Sequence, residues 1–225
     1  YNKIIRMDFI EFWTICSANN IELDELQMEN IRRFHKEIIY WNEKVNMISR
    51  KDIEHLLSRH ILHSLSIMKY INFPKKARVV DVGTGGGFPG IPLKIANPDI
   101  YITLVDSISK KLKIANMLAQ HTGLRNIDAK AQRIEEINSD KNYQNKFDFV
   151  VSRATASASK IYLWTQNMIK NTGKIILWKG GDLTDEINEL LKQNSNLKVE
   201  VIDIDIFGFD YFKKEDKKFL IISNK

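Results

Sequence analysis

Apolar residues in the first third of the chain recur at three- and four-residue steps, the period of a helix with one buried face. Each such stripe predicts a helix that packs one side against a core. The stripes are Phe9, Phe12, Trp13 and Cys16, then Ile31, Phe34, Ile38 and Trp41, and less regularly Leu56, Ile61, Leu65 and Met68.

The helical pattern ends near residue 75, where Asn72, Phe73 and Pro74 interrupt it. Asp24 and Asp52 each precede a stripe and are predicted N-caps. We therefore expect two domains, an N-terminal helical cap over 1–75 and a second domain over 76–225.

Short apolar runs replace the helical period after residue 75, and helical segments separate most of them. Alternating strands and helices predict a largely parallel sheet that is covered on both faces. The last two runs have no helical pattern between them and predict an antiparallel hairpin. The predicted strands cover 78–82, 101–106, 147–152, 174–178, 197–207 and 217–223.

The composition is that of a folded globular protein, with 44% hydrophobic and 28% charged residues among 225. It excludes a disordered chain, and a single cysteine, Cys16, excludes an internal disulfide. No apolar run is long enough to cross a bilayer, and the first residues are too polar for a signal peptide. We expect a soluble cytoplasmic protein, and Tyr1 in place of Met suggests a trimmed N-terminus.

The net charge is +6, and residues 76–225 contribute most of it with 23 basic against 18 acidic residues. A basic excess favours an anionic partner such as a nucleic acid, although solubility alone also explains an excess of this size.

A glycine-rich segment, Asp81 to Gly90, follows the first predicted strand and opens a helix that should end at Ala96. Glycines at this point allow a sharp turn and close approach of a ligand, and the helix N-terminus supplies unpaired amides. We therefore predict that Gly83, Gly85 and Gly87 form a nucleotide-cofactor loop.

Two aspartates narrow the choice of cofactor. Asp106 ends the second strand about 20 residues after the loop, where its carboxylate can accept hydrogen bonds from ribose hydroxyls. Asp81 ends the first strand, where a carboxylate suits the cationic amino-acid end of S-adenosylmethionine and repels a pyrophosphate. An NAD(P)-dependent reductase is the less favoured alternative, because no catalytic Tyr/Lys pair is evident.

Several longer motifs of the chain resemble those of a single protein family. The segments WNEKVNMIS, RHILHSL, DVGTGGGFPGIPL, LVDSISKK, AQRIEE, VVSRA and LWKGG resemble the glucose-inhibited division protein B family from about residue 26 to the last strand. Members of that family methylate guanine N7 in 16S ribosomal RNA with S-adenosylmethionine. The resemblance implies a class I methyltransferase fold, a Rossmann-like α/β sheet of seven strands with a C-terminal antiparallel hairpin and an N-terminal helical cap.

The same resemblance implies site residues. It places cofactor contacts at Gly83, Phe88, Ile134, Glu135 and Arg153, and substrate-side cations at Arg133 and Lys179. It also implies 16S ribosomal RNA or the small subunit as partner; beyond this we expect a monomer with no membrane association and no obligate protein partner. One departure is His63, where the family usually has Asp, so the junction between cap and second domain should differ here.

Methylation at guanine N7 needs no strong general base, because N7 carries a lone pair at neutral pH. Positioning is therefore the main requirement, and no residue is predicted to be strictly catalytic. Ser152-Arg153-Ala154 stands at the end of the predicted strand 147–152, in place of the Asn/Asp-Pro-Pro-Tyr segment that resembles amine methyltransferases. Cys16 is expected in the core, not as a nucleophile. Another RNA or a small molecule as acceptor, and a non-catalytic nucleotide-binding module, stay open as alternatives.

Other chemistry-bearing residues have plain structural interpretations. His55, His60 and His63 have spacing that could suit a metal, but without a clear third ligand we expect core or interdomain hydrogen bonds and no metal. Tryptophans are expected in the core, except that Trp178 beside Lys179 is a candidate to stack on the target base. Two lysine clusters could contact RNA or simply be solvated: Lys110, Lys111 and Lys113, and Lys213, Lys214, Lys217 and Lys218.

Overall fold

The computed structural model describes residues 6–225, so the polar first residues Tyr1 to Ile5 on which the signal-peptide argument partly rests lie outside it. One seven-stranded sheet organises the chain, in the order β3-β2-β1-β4-β5-β7-β6. The strands are β1 (Arg78–Val82), β2 (Tyr101–Val105), β3 (Ile127–Lys130), β4 (Phe147–Arg153), β5 (Ile169–Gly180), β6 (Leu197–Asp203) and β7 (Lys217–Asn224).

Strands β1 to β5 pair in parallel, and β7 runs antiparallel to both β5 and β6. Because β1 lies between β2 and β4, the strand order reverses there, and the crevice at the carboxyl ends of β1 and β4 is where open α/β sheets bind ligands. The predicted fold class and the terminal hairpin are confirmed.

Helices cover both faces of this sheet. They are α1 (Phe9–Ala18), α2 (Glu25–Asn42), α3 (His63–Leu65), α4 (Gly90–Ala96), α5 (Ser109–His121), α6 (Ile134–Ser139), α7 (Ala158–Thr165), α8 (Thr184–Gln193) and α9 (Tyr211–Lys214). Between α2 and β1 the chain forms a 3-10 turn (Ile53–His55), a π-helix (Leu56–Leu62), α3 and a further 3-10 turn (Ser66–Lys69).

Of the two predicted N-caps, the structure confirms one. Asp24 caps α2 through a capping box, in which its carboxylate accepts from the Gln27 amide at 2.7 Å and the Gln27 side chain accepts from the Asp24 amide at 2.8 Å. The prediction for Asp52 is wrong, because its side chain accepts no capping hydrogen bond and lies 3.7 Å from Arg59 Nη1 instead.

The buried residues form two clusters, one on each face of the sheet. Val79 packs in the cluster that holds Phe12 and Phe34 of the N-terminal helices, whereas Val80 and Val82 pack in the opposite cluster with α6, α7 and α8. This alternation is the two-residue period of a strand buried on both faces. The N-terminal helices, α4 and α5 thus share one continuous core with the sheet. Cys16 lies in that core, as predicted.

Some elements differ from the sequence pattern. The strand β3 has only four residues and includes Asp128 and Lys130, so no apolar run reveals it. Strand β5 begins at Ile169, five residues before the predicted run, and β6 ends at Asp203. Ile204 and Ile206, predicted to continue β6, are buried in the loop beyond it. Within the described residues, no helix combines the length and the apolar character needed to span a membrane.

Candidate active site

A cavity of about 520 Å³ opens at the carboxyl ends of β1, β2 and β4. Five residues predicted to contact the cofactor line it, namely Gly83, Gly85, Asp106, Ile134 and Glu135. The sheet thereby brings together residues that lie 50 positions apart in the sequence. We call this space the first cavity.

The glycines of the loop make room for this cavity. Gly83 has φ +71°, and a Cβ there would lie 2.3 Å from Thr155 Oγ1 of the loop after β4. Gly85 has φ +54°, and a Cβ there would meet no protein atom of the described chain within 4 Å. A side chain at Gly83 would clash, and one at Gly85 would project into open space beside the loop.

Asp106 holds the loop from the neighbouring strand. Its Oδ2 accepts from the Gly85 amide at 2.8 Å, and its Oδ1 accepts from the Ile108 amide at 2.8 Å. A carboxylate oxygen has a second lone pair, so Asp106 can bind the loop and still accept hydrogen bonds from a ligand in the first cavity. This arrangement fits the ribose hydroxyls of S-adenosylmethionine.

Asp81 lies beneath the glycine loop and does not line the first cavity. It is fully buried, and its Oδ2 accepts from Thr84 Oγ1 at 2.6 Å and from the Gly90 amide at 2.9 Å. Within residues 6–225 its Oδ1 has no hydrogen-bond partner. Burial raises the pKa of this carboxyl to about 7. The geometry therefore assigns Asp81 to support of the loop and of the α4 N-terminus, and its direct contact with a cofactor stays a prediction.

Phe88 and Arg153, the other two implied cofactor contacts, form a bridge between the loop and the cap. Phe88 is 3% exposed and packs against Phe34, with ring centroids 5.3 Å apart, and against His60 at 5.5 Å. Arg153 lies over the Phe88 ring at 5.0 Å, and its Nη2 lies 2.9 Å from Nδ1 of His60. Neither Phe88 nor Arg153 lines the first cavity, and Gly87 of the loop does not line it either.

The electrostatics of this bridge follow from burial. Burial, with the positive charges of Arg153 and Arg59, lowers the pKa of His60 to about 3, so the ring is neutral and can accept from Arg153. Burial lowers the pKa of Arg153 to about 10, which leaves it charged at neutral pH. Of the core or interdomain hydrogen bonds expected for these histidines, the structure shows one between His60 and Arg153 of β4.

A second cavity of about 440 Å³ lies beside the first, and Ala154 lines both. It is lined by residues of the N-terminal helical cap, of the ends of β4 and β5 and of the C-terminal hairpin. Because these segments are far apart in the sequence, no local sequence pattern predicts this cavity. Its wall carries four cations, Arg59, Arg153, Lys179 and Lys217, and one carboxylate, Asp52. The cationic wall suits an anionic or hydrogen-bond-accepting ligand.

The two residues predicted to position substrate have different surroundings. Arg133 lines the first cavity, whereas Lys179 lines the second. Lys179 Nζ donates to Glu186 Oε1 at 2.6 Å and to the Ala156 carbonyl at 2.8 Å, so its ammonium is already paired. Arg153, expected on the cofactor side, lines the second cavity and not the first. Which of the two arginines contacts the cofactor and which the substrate stays a prediction.

The two cavities are also lined by side chains that the sequence analysis placed in the core or did not name as site residues. Trp164, expected in the core, lines the first cavity together with Thr155 and Lys111. Trp178 is 3% exposed, and its Nε1 donates to the His63 carbonyl at 2.7 Å, which makes it a core residue in the wall of the second cavity. The sequence analysis did not identify Thr155 as a site residue, although Thr155 directly follows the Ser152-Arg153-Ala154 segment. The chain turns there, with Ala154 at φ +55°.

Comparison with known proteins shows which family the chain belongs to. The family model described as rRNA small subunit methyltransferase G matches residues 27–211. The chain belongs to this family.

Curated members of the methyltransferase G family match most of the chain. A ribosomal RNA small subunit methyltransferase G of Christiangramia forsetii is 40% identical over 206 residues, which cover 88% of this chain and 92% of that protein. One from Bacteroides fragilis is 43% identical over 173 residues, covering 73% and 80%. The predicted family resemblance and the prediction of a methyltransferase, in preference to a reductase, are confirmed.

Solved structures confirm the fold. A SAM-dependent methyltransferase from Aquifex aeolicus superposes with a TM-score of 0.55 at 16% identity, covering 78% of this chain and 97% of that one. A ribosomal protein L11 methylase from Lactobacillus delbrueckii subsp. bulgaricus also gives a TM-score of 0.55, at 19% identity, covering 73% and 77%. This chain thus shares its sheet fold with these enzymes.

Proposed function

We propose that this protein transfers a methyl group from S-adenosylmethionine to N7 of a guanosine in the 16S ribosomal RNA of the small ribosomal subunit. The observation that supports the proposal most directly is the pair of adjoining cavities, one with a glycine loop and carboxylates and the other with a cationic wall, which meet at Ala154. Curated relatives at about 40% identity carry the name of a small-subunit ribosomal RNA methyltransferase.

In this proposal the first cavity holds the cofactor. Asp106 accepts hydrogen bonds from the ribose, the loop at Gly83 and Gly85 allows close approach, and Ile134 and Glu135 line the far wall. Bound S-adenosylmethionine supplies an electrophilic methyl group on a sulfonium. Asp81 keeps the loop in place through Thr84 and the Gly90 amide.

The second cavity holds the acceptor base. The lone pair of guanine N7 is available without loss of a proton, so the residues here need only hold distance and angle. Arg153 is half-buried and bound to His60, so its guanidinium presents donors from a fixed position. Tyr211, which opens α9, lines this cavity, and Lys213 and Lys214 of the same helix are exposed. In this proposal these two lysines contact phosphates of the RNA backbone.

The experiment is a methyl-transfer assay with labelled S-adenosylmethionine on small subunits and 16S ribosomal RNA prepared from a strain that lacks this gene. We expect label in one guanosine, located by primer extension after cleavage at N7-methylguanosine. RNA in which 7-deazaguanosine replaces guanosine is the control and should take no label. Label in another RNA class, or at an exocyclic nitrogen, would contradict the proposal.

A further inference from the structure

The proposed reaction leaves a problem of selectivity, because guanine and adenine both carry a lone pair at N7. Reactivity at N7 therefore does not distinguish them, and selection must come from groups that contact the rest of the base. Guanine presents an acceptor at O6 followed by donors at N1 and at the N2 amino group. Adenine presents a donor at N6 and an acceptor at N1. A guanine site consequently needs a donor beside an acceptor.

His63 provides an acceptor in the wall of the second cavity. It opens α3, is 8% exposed, and stacks on Phe212 with ring centroids 4.8 Å apart and planes 26° apart. Its backbone carbonyl accepts from Trp178 Nε1 at 2.7 Å and from Ser66 Oγ at 2.8 Å. Phe212 thus packs on the ring and Trp178 fixes the backbone of His63, and both belong to elements distant from His63 in the sequence.

The protonation state of this ring determines what it offers. Burial, with nearby positive charges on Arg153 and Lys217, lowers the pKa of His63 well below its ordinary value, so the ring is neutral. One ring nitrogen is hydrogen-bonded to the backbone of Arg59. The other, Nε2, is buried and has no hydrogen-bond partner among residues 6–225. A neutral imidazole with one nitrogen donating has a lone pair on the other.

A buried acceptor without a donor is unfavourable, because it has lost its hydrogen bonds to water and gained none in the protein. Of the three buried side-chain atoms in this condition in the described chain, His63 Nε2 is the one whose residue lines the second cavity. Cations in the same wall, Arg153 and Lys217, supply the donors that a guanine O6 requires. The second cavity therefore has hydrogen-bond donors and an acceptor residue in one wall, the combination that recognition of guanine requires.

We propose that His63 is a specificity-determining residue, whose Nε2 accepts a hydrogen bond from N1–H or the N2 amino group of the target guanine while Arg153 or Lys217 donates to O6. The inference rests on the proposed function, since it names how the same site reads its base. Enzymes that act on single bases commonly read them through this edge. Adenine would leave His63 Nε2 facing another acceptor, which a site of this kind rejects strongly.

The test compares target bases in one assay. The guanosine that the assay above locates is replaced by inosine, which lacks the N2 amino group, by 1-methylguanosine, which lacks N1–H, or by adenosine. These RNAs, assembled into small subunits where naked RNA is not methylated, are given to the wild-type protein and to His63→Leu and His63→Gln. Glutamine keeps an acceptor oxygen, and leucine has none.

For the wild-type protein we expect kcat/KM to fall about 10- to 100-fold for adenosine and for at least one of inosine and 1-methylguanosine. His63→Leu should lose a similar factor on guanosine while changing little on the poor substrate, so that its preference disappears. His63→Gln should recover most of the preference. Affinity for S-adenosylmethionine should not change, which separates lost recognition from a damaged fold.

Contrary results are distinguishable. A folded His63→Leu protein that keeps the wild-type ratios between bases would overturn the role of His63 and leave the proposed function intact. If His63→Leu fails to fold, the wild-type series decides, because equal rates on guanosine, inosine and 1-methylguanosine also overturn it. A wild-type protein that methylates no guanosine in 16S ribosomal RNA would instead remove the proposed function itself.

Discussion

Asp81 and Asp106 end neighbouring parallel strands, yet their surroundings give them different roles. The carboxylate of Asp106 lines the first cavity, whereas that of Asp81 is fully enclosed beneath the loop. Sequence position predicts that both lie near the cofactor loop, and both do. Which one faces open space depends on the side of the sheet to which each side chain points and on the packing of α4 over Asp81.

Removing the Asp106 carboxylate should weaken cofactor binding. We expect Asp106→Ala to raise the Kd for S-adenosylmethionine about 10- to 100-fold, because hydrogen bonds to a charged group contribute about 1.5–3 kcal/mol. Isothermal titration calorimetry measures this directly. Asp99→Ala is the matched control, since Asp99 is exposed and pairs with Lys75 away from the cavity. Equal affinities of the two variants would contradict this role of Asp106.

Asp81 should make stability depend on pH. Its folded pKa is raised to about 7 from the model-peptide value of 3.8, so the folded state holds this proton more tightly than the unfolded state does. The resulting stabilisation is complete below about pH 4 and is lost as the pH rises to about 7, with a slope of at most ~1.4 kcal/mol per pH unit.

Urea unfolding of the ligand-free protein at several pH values between 5 and 8 tests this. Asp81→Asn keeps an acceptor for Thr84 and the Gly90 amide but cannot ionise. Its stability relative to the wild-type protein should therefore improve as the pH rises towards about 7 and change little above that. Curves that stay parallel across this range would show that the Asp81 carboxyl titrates normally.

At the scale of elements, the N-terminus of α2 shows how a local signal can have a distant consequence. The N-cap at Asp24 was predicted from the sequence. The structure adds that Gln27 completes a capping box and that its Nε2 also donates to the Ala96 carbonyl at the end of α4, at 3.0 Å. The cap of one helix thus ties the N-terminal region to the helix that follows the glycine loop. No local pattern predicts this second bond.

We expect Asp24→Ala to lower the free energy of unfolding by about 1 kcal/mol, within the range of about 0.5–2 kcal/mol for lost N-caps. Chemical denaturation measures the change. Glu22→Ala, an exposed acidic residue two positions earlier, is the matched control and should have little effect. A loss no larger than that of the control would mean that the capping box does not stabilise α2.

The π-helix at Leu56–Leu62 is the element that sequence reasoning described least well. Its apolar residues are spaced irregularly, and the widened turn carries Arg59 and His60 to the second cavity. Segments of this kind occur frequently at functional sites. The irregular spacing was visible in the sequence, but the direction in which each side chain points required the packed structure.

At the scale of the whole molecule, the N-terminal helices and one sheet face share a single core that reaches the glycine loop through the contact of Phe34 with Phe88. The expected division at residue 75 stays a prediction, since packing across it is continuous. Such a core couples the stability of the N-terminal region to the geometry of the cofactor loop.

Phe34→Ala should therefore act on both stability and binding. We expect a loss of about 3–5 kcal/mol in the free energy of unfolding, as for other buried Phe to Ala changes, and weaker binding of S-adenosylmethionine at a temperature where the variant is folded. Phe147→Ala is the matched control, because Phe147 is equally buried in the cluster on the opposite face. It should lose comparable stability but keep its cofactor affinity; equal affinities of both variants would contradict the coupling.

The sequence by itself determined the alternation of strands and helices, the reversed hairpin, the glycine loop and the family, because each depends on the period or spacing of neighbouring residues. The tertiary structure decided that Asp81 is enclosed and Asp106 open, that Arg133 lines the first cavity and Arg153 the second, and that Ala154 lies where the two cavities meet. Those outcomes depend on which segments pack together across the sheet. Contacts such as that of Arg153 with His60 join residues 93 positions apart, and no local pattern encodes them.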